Sequence, residues 1–84
     1  MGSYNGYTNW ETWNLILWIS NERDPYDKVE VFVRDNIHSL TPPLVKAFVR
    51  QRVYPKGTPD MATRKEMQKV NWEEITANLK EWND

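Results

Sequence analysis

The chain has 84 residues, a formal net charge of −1 and no cysteine. That length admits one domain, near the lower end of what folds unaided, and the missing cysteine excludes disulfides and thiolate metal sites. The near-neutral charge selects no class of partner, but its distribution is uneven: Lys46, Arg50, Arg52, Lys56, Arg64, Lys65 and Lys69 face only Asp60 and Glu66 within 41–70, between acidic flanks.

Proline and glycine occur only at 2, 6, 25, 42, 43, 55, 57 and 59, which leaves segments 7–24, 26–41, 44–54 and 60–84 free of breakers. The first opens Thr8-Asn9-Trp10-Glu11. Thr8 with Glu11 fits a capping box, and Asn9 serves equally well as N-cap. A helix to about Asn21 puts Trp10, Trp13 and Leu17 on one stripe, with Leu15, Trp18 and Ile19 on the other side. A helix apolar on two sides is expected at the centre of its domain.

Asp24-Pro25 reads as N-cap and first helical residue of a second helix, with Tyr26, Val29, Val33, Ile37 and Leu40 at helical spacing. Thr41-Pro42-Pro43 repeats that start, and Leu44, Val45, Phe48 and Val49 continue it to near Arg52. Both segments also alternate, so the rival to an all-α fold is an α+β domain with a two-stranded hairpin from 28–34 and 47–54. Tyr54 to Thr58 is a loop. Thr58 or Asp60 is expected to cap a short fourth helix that carries Met61, Met67 and an Asp60–Arg64 pair.

The last helix has the clearest start. Val70 precedes the N-cap Asn71, Glu74 stands at N3, and Ile75 at N4 can staple back to Val70. Trp72, Ile75, Leu79 and Trp82 fall within about 80° of one another at ideal helical geometry. The expected fold is therefore an all-α bundle of four to five short helices over 1–84, with 1–6 as a flexible arm. Its core is expected to include Trp13, Leu17, Trp72, Ile75, Leu79 and Trp82.

The same reading finds no catalytic machinery. His38 is the sole histidine, and its neighbour Ser39 points about 100° away on a helix, so the two make no dyad. Glu11, Asp27, Glu73 and Glu74 sit in first helical turns, where the helix dipole accounts for them. No glycine-rich phosphate loop and no ligand spacing for a metal occur. The chain is expected to be no enzyme and to use no cofactor or metal. Its longest apolar run, Leu15 to Ile19, is too short to span a bilayer, and no signal peptide is evident. A cytoplasmic protein is the expectation.

Binding is the remaining class. Trp10 and Trp18 on the two-sided first helix, with Arg50, Arg52, Tyr54 and Lys56 around the loop, are the candidate partner-binding residues. A protein partner is expected, or a homodimer that covers the second side of helix one. A nucleic-acid-binding regulator that uses the basic 46–69 segment is the alternative.

Residues Tyr7-Thr8-Asn9-Trp10-Glu11-Thr12-Trp13, followed by Leu17-Trp18 and Asn21, resemble a set of small uncharacterised phage and bacterial proteins. These open with a Thr-Asn-x-Glu-Thr-Trp signature and a Leu-Trp pair one turn on. Asn71-Trp72-Glu73-Glu74-Ile75 shows a looser likeness. The resemblance implies a compact helical protein, phage-encoded or carried on a mobile element, that acts on host factors. It brings no assigned activity, cofactor or catalytic residue.

Overall fold

A computed structural model describes residues 6–83, without the Asn83 side chain, so residues 1–5 of the expected arm lie outside the described residues. Helix α1 spans Trp10–Asn21 and α2 spans Arg23–Asp35, with the single residue Glu22 as the elbow between them. Helix α3, Pro42–Phe48, runs on without a break as a π turn over Val49–Val53, closed by the Tyr54 N–H donating to Val49 O at 2.8 Å. A 3₁₀ helix covers Arg64–Lys69, α4 covers Trp72–Lys80, and a last 3₁₀ turn covers Glu81–Asn83. Among the described residues there is no strand, so the fold is all-α and the hairpin from 28–34 and 47–54 does not form.

The N-termini of α1 and α4 explain why the two ends of the chain meet. Asn9 is the α1 N-cap, its Oδ1 accepting from the Thr12 N–H at 2.9 Å, and Asn71 caps α4 in the same way from the Glu74 N–H at 3.1 Å. In an ordinary capping box the N3 side chain turns back to its own cap. Here each N3 side chain reaches the other helix start, Thr12 while its hydroxyl also donates to Asn9 Oδ1 at 2.6 Å. Thr12 of α1 accepts from the Asn71 N–H at 2.9 Å, and Glu74 of α4 accepts from the Thr8 N–H at 2.9 Å. Asn9 Nδ2 also donates to Lys69 O at 2.8 Å, and Asn71 Nδ2 to Thr8 Oγ1 at 3.1 Å. Thr8, Asn9 and Thr12 thus form a joint between the starts of two helices, each satisfying backbone donors of the other.

The core forms one contiguous cluster. α1 contributes Leu15, Ile16 and Ile19, α2 Val29 and Val33, and α3 with its π turn Val45 and Val49. Met61, Met67 and Val70 come from the segment before α4, and Trp72, Ile75 and Leu79 from α4 itself. Leu40 closes the end near α3. The Cα radius of gyration, 11.9 Å, matches the roughly 12 Å of a compact single domain of this length.

Several expectations need correction. Trp13 and Leu17 are half-buried and stand outside this cluster, because Thr12, Leu15, Ile16 and Ile19 form the narrower stripe that faces it. Trp82 is half-buried, packing at the edge, where its ring stacks on Tyr26 with centroids 4.9 Å apart. Helix α2 starts at Arg23, so Asp24 and Pro25 lie inside its first turn. The N–H that proline lacks has no intrahelical acceptor there in any case. The 3₁₀ helix is capped by Thr63, with Glu66 completing the box, and not by Thr58 or Asp60. Asp60 turns instead to α1.

Candidate functional site

Asp60 is the centre of a hydrogen-bonded clasp that the sequence reading did not identify. Its Oδ2 accepts from Asn14 Nδ2 at 2.8 Å and from the Trp18 indole Nε1 at 2.9 Å. Asn14, 1% exposed, in turn accepts through Oδ1 from the Thr58 hydroxyl, which is itself buried. Asn14 and Trp18 are four residues apart on α1, one above the other on the flank away from Leu15 and Ile19. The 58–60 stretch therefore covers the second side of α1 with polar contacts. Two donors on one carboxylate favour its ionised form, and the bonds from Asn14 and then Trp18 hold the Asp60 pKa below the usual value.

The turn that delivers these residues depends on Gly57. It adopts φ +88°, a left-handed conformation, and a Cβ there would come within 3.2 Å of Met61 Sδ. The Gly57 N–H donates to Tyr54 O at 3.1 Å, which closes the bend.

With the clasp closed, Trp18 and Tyr54 line one surface cleft together with Pro25, Pro59, Glu22, Arg23 and Asp24, about 450 Å³ in volume. The elbow at Glu22 is what brings the charged residues there. The Glu22 N–H ends α1 on Trp18 O at 3.1 Å, and its carbonyl accepts from the Tyr26 N–H at 2.9 Å to begin α2. Arg23, which also lines the cleft, pairs with Asp27 at 3.8 Å, both well exposed, and Glu22 and Asp24 form no ion pair among the described residues. Tyr54 feels this setting. Burial first, and the nearby Glu22 charge second, push its phenol up to about 12, so it stays a protonated hydroxyl at any physiological pH.

The structure brings only part of the expected binding set together. Trp18 and Tyr54 share the cleft, whereas Trp10 packs against the core and Lys56 is exposed in the turn. Arg52 lines a larger groove, about 830 Å³, between α2 and the π turn. Arg50 lines a third depression with Lys46, Pro43, Ala47 and Gln51. Lys46 and Arg50 thus line one depression and Arg52 the groove beside it, the two sharing Gln51. Among the described residues no group of three His, Asp or Glu side chains could hold a metal ion, and no helix is long and apolar enough to cross a membrane.

A sequence signal for the clasp did exist. Asn14 interrupts an apolar run, and a buried amide must find partners. Thr58-Pro59-Asp60 follows a glycine that permits a sharp turn. What the sequence lacked was the separation, since the three bonds cross 42 to 46 residues.

The chain belongs to a family described as a family of unknown function (DUF7249), whose model matches residues 1–84. No curated protein and no solved structure matches it.

Proposed function

We propose that this DUF7249 member is a small non-enzymatic accessory protein that binds a basic segment of a partner protein in the Trp18–Tyr54 cleft. In line with the resemblance of its first helix, we place it as a phage-encoded cytoplasmic protein that acts on a host protein. The observation that carries the reading is the pairing of two aromatic rings with two carboxylates, Glu22 and Asp24, in one cleft. A lysine or arginine side chain is the group that such a setting favours. Its cation is attracted to aromatic faces, by about 0.5–2 kcal/mol, and its charge is matched by the acids at the mouth. The Asp60 clasp supports the reading as well, because walls fixed before binding lower the ordering cost of association.

The nucleic-acid alternative has less support. Arg52 shares a groove with Asp27 and Asp35, which weakens its attraction for phosphates.

The test uses hexa-arginine and hexa-glutamate peptides as probes, followed through the tryptophan indole signals in NMR spectra of the whole protein. Hexa-arginine is expected to shift the Trp18 indole resonance, with weakening as salt rises, and hexa-glutamate to leave it unmoved. Glu22→Lys with Asp24→Lys is expected to abolish the response while the remaining spectrum keeps its folded dispersion. An unmoved Trp18 signal at millimolar hexa-arginine, or a response that survives the charge reversal, overturns the proposal.

A further inference from the structure

A second groove, about 830 Å³ in volume, plays no part in the cleft just described, and the two share no lining residue. Its floor is apolar. The rings of Phe32 from α2 and Phe48 from the end of α3 stack with centroids 4.0 Å apart and planes 5° from parallel, and Val31 on the adjoining ridge is 49% exposed.

Four of the charges along α2 are paired with one another. Arg23 pairs with Asp27 and Arg34 pairs with Glu30, each one turn apart. Lys28 and Asp35 line the groove with Asp27 and Arg52 but form no ion pair among the described residues, the Lys28 ammonium donating only to Arg52 O at 3.5 Å. They stand seven residues apart, two helical turns along one face, with Val31 and Phe32 midway between them. One end of this seam is positive, the other negative, and the middle is apolar.

We propose that the occupant of this groove is a second copy of the same chain, docked through α2 in antiparallel register. A twofold axis through the midpoint of the seam sets Lys28 against the other copy's Asp35, and does so twice. It also sets Val31 against the other copy's Phe32. Such self-complementarity is what an isologous interface requires. Centring the axis on Val31 itself would instead set Asp27 against Asp35 and Lys28 against Arg34, so the charges also choose the register. The interface is small, one 13-residue helix and the adjacent π turn from each copy. It falls at or below roughly 1,200 Å² of total buried surface, the low end for specific association. The dimer is therefore expected to be weak and concentration-dependent.

Sedimentation velocity of the intact protein over a range of concentrations is the test. The wild type is expected to shift from monomer towards dimer as concentration rises. Lys28→Asp or Asp35→Lys alone, both at exposed positions, should weaken association by about tenfold or more through like-charge contacts. An equimolar mixture of those two single variants should recover it, because each now offers a uniformly charged seam to its opposite. The double swap Lys28→Asp with Asp35→Lys should recover it as well. A wild type that stays monomeric into the millimolar range overturns the inference. So does a dimer indifferent to both single variants, or single variants that the mixture fails to rescue.

Discussion

The two covered sides of α1 are held by different physics. One side presses Leu15 and Ile19, both fully buried, into the common core. The other side carries Asn14 and Trp18 and is closed by hydrogen bonds to Thr58 and Asp60. Apolar burial is strong but undirected, contributing roughly 25 cal/mol for each Å² removed from water. A hydrogen bond contributes less net stability, about 0.5–1.5 kcal/mol, but fixes direction and distance. The apolar side of α1 thus holds the domain together, and the polar side sets the shape of the Trp18–Tyr54 cleft.

Substitutions on the two sides should separate these roles. Leu15→Ala removes a fully buried side chain, and it is expected to cost about 2–5 kcal/mol in urea unfolding. That is a large share of the ~5–15 kcal/mol typical of a domain. If the loss is under 1 kcal/mol, the apolar side is not what holds the fold.

The joint between α1 and α4 lies between the two extremes, since Thr12 is fully buried yet acts through its hydroxyl. Thr12→Val keeps the shape and strands the Asn71 N–H without its acceptor, at an expected cost of about 1–3 kcal/mol. Thr12→Ser should recover most of it. Equal losses in the two variants would mean that the methyl group, not the hydrogen bond, is what the joint needs.

The unequal legibility of these regions in the sequence follows from the same contrast. Asn9, Thr41 and Asn71 were readable as caps because each acts on a backbone donor three residues ahead. Ile75 and Leu79 were readable as core from helical spacing alone. Trp13 and Leu17 lie off the buried stripe, because size and apolarity alone do not decide which face of a helix is covered. The real stripe runs through Thr12, a polar residue whose hydroxyl donates to Asn9 and accepts from the Asn71 N–H, 59 residues further on. The same distance hid the partners of Asp60. A local rule offered Arg64 as its mate, one turn on, while the tertiary fold supplied Asn14 and Trp18. Nor did any local signal announce the π turn at Val49–Val53, since the alternating Val49-Arg50-Gln51-Arg52-Val53 reads equally well as strand.

Within the cleft, pH gives a gentler probe. Tyr54 is held protonated to about pH 12 against an ordinary value of 10.0. A raised acid contributes stability in full below its unfolded pKa, and that contribution fades as pH climbs from 10 towards 12. Tyrosinate absorbance is expected to show a late-ionising component that is lost in Tyr54→Phe. Unaltered late ionisation in that variant would place the shielded phenol elsewhere.

Asp60 should show the smallest change in stability and the most localised one in shape. Its side chain is exposed, so little burial is at stake, and its carboxyl titrates below the ordinary value because Asn14 and Trp18 donate to it. The sign is opposite to that of Tyr54. A lowered carboxyl contributes in full above its unfolded pKa, roughly 4, and that contribution disappears as pH falls through the folded value. Acidification of the wild type below about pH 4 and Asp60→Asn at neutral pH should then converge on one effect. The Trp18 indole signal moves, while the resonances of Leu15 and Ile19 stay in place until the domain itself unfolds. Movement of the core resonances together with Trp18 would mean that the two sides of α1 are one cooperative unit, and that the clasp holds the fold as much as it shapes the cleft.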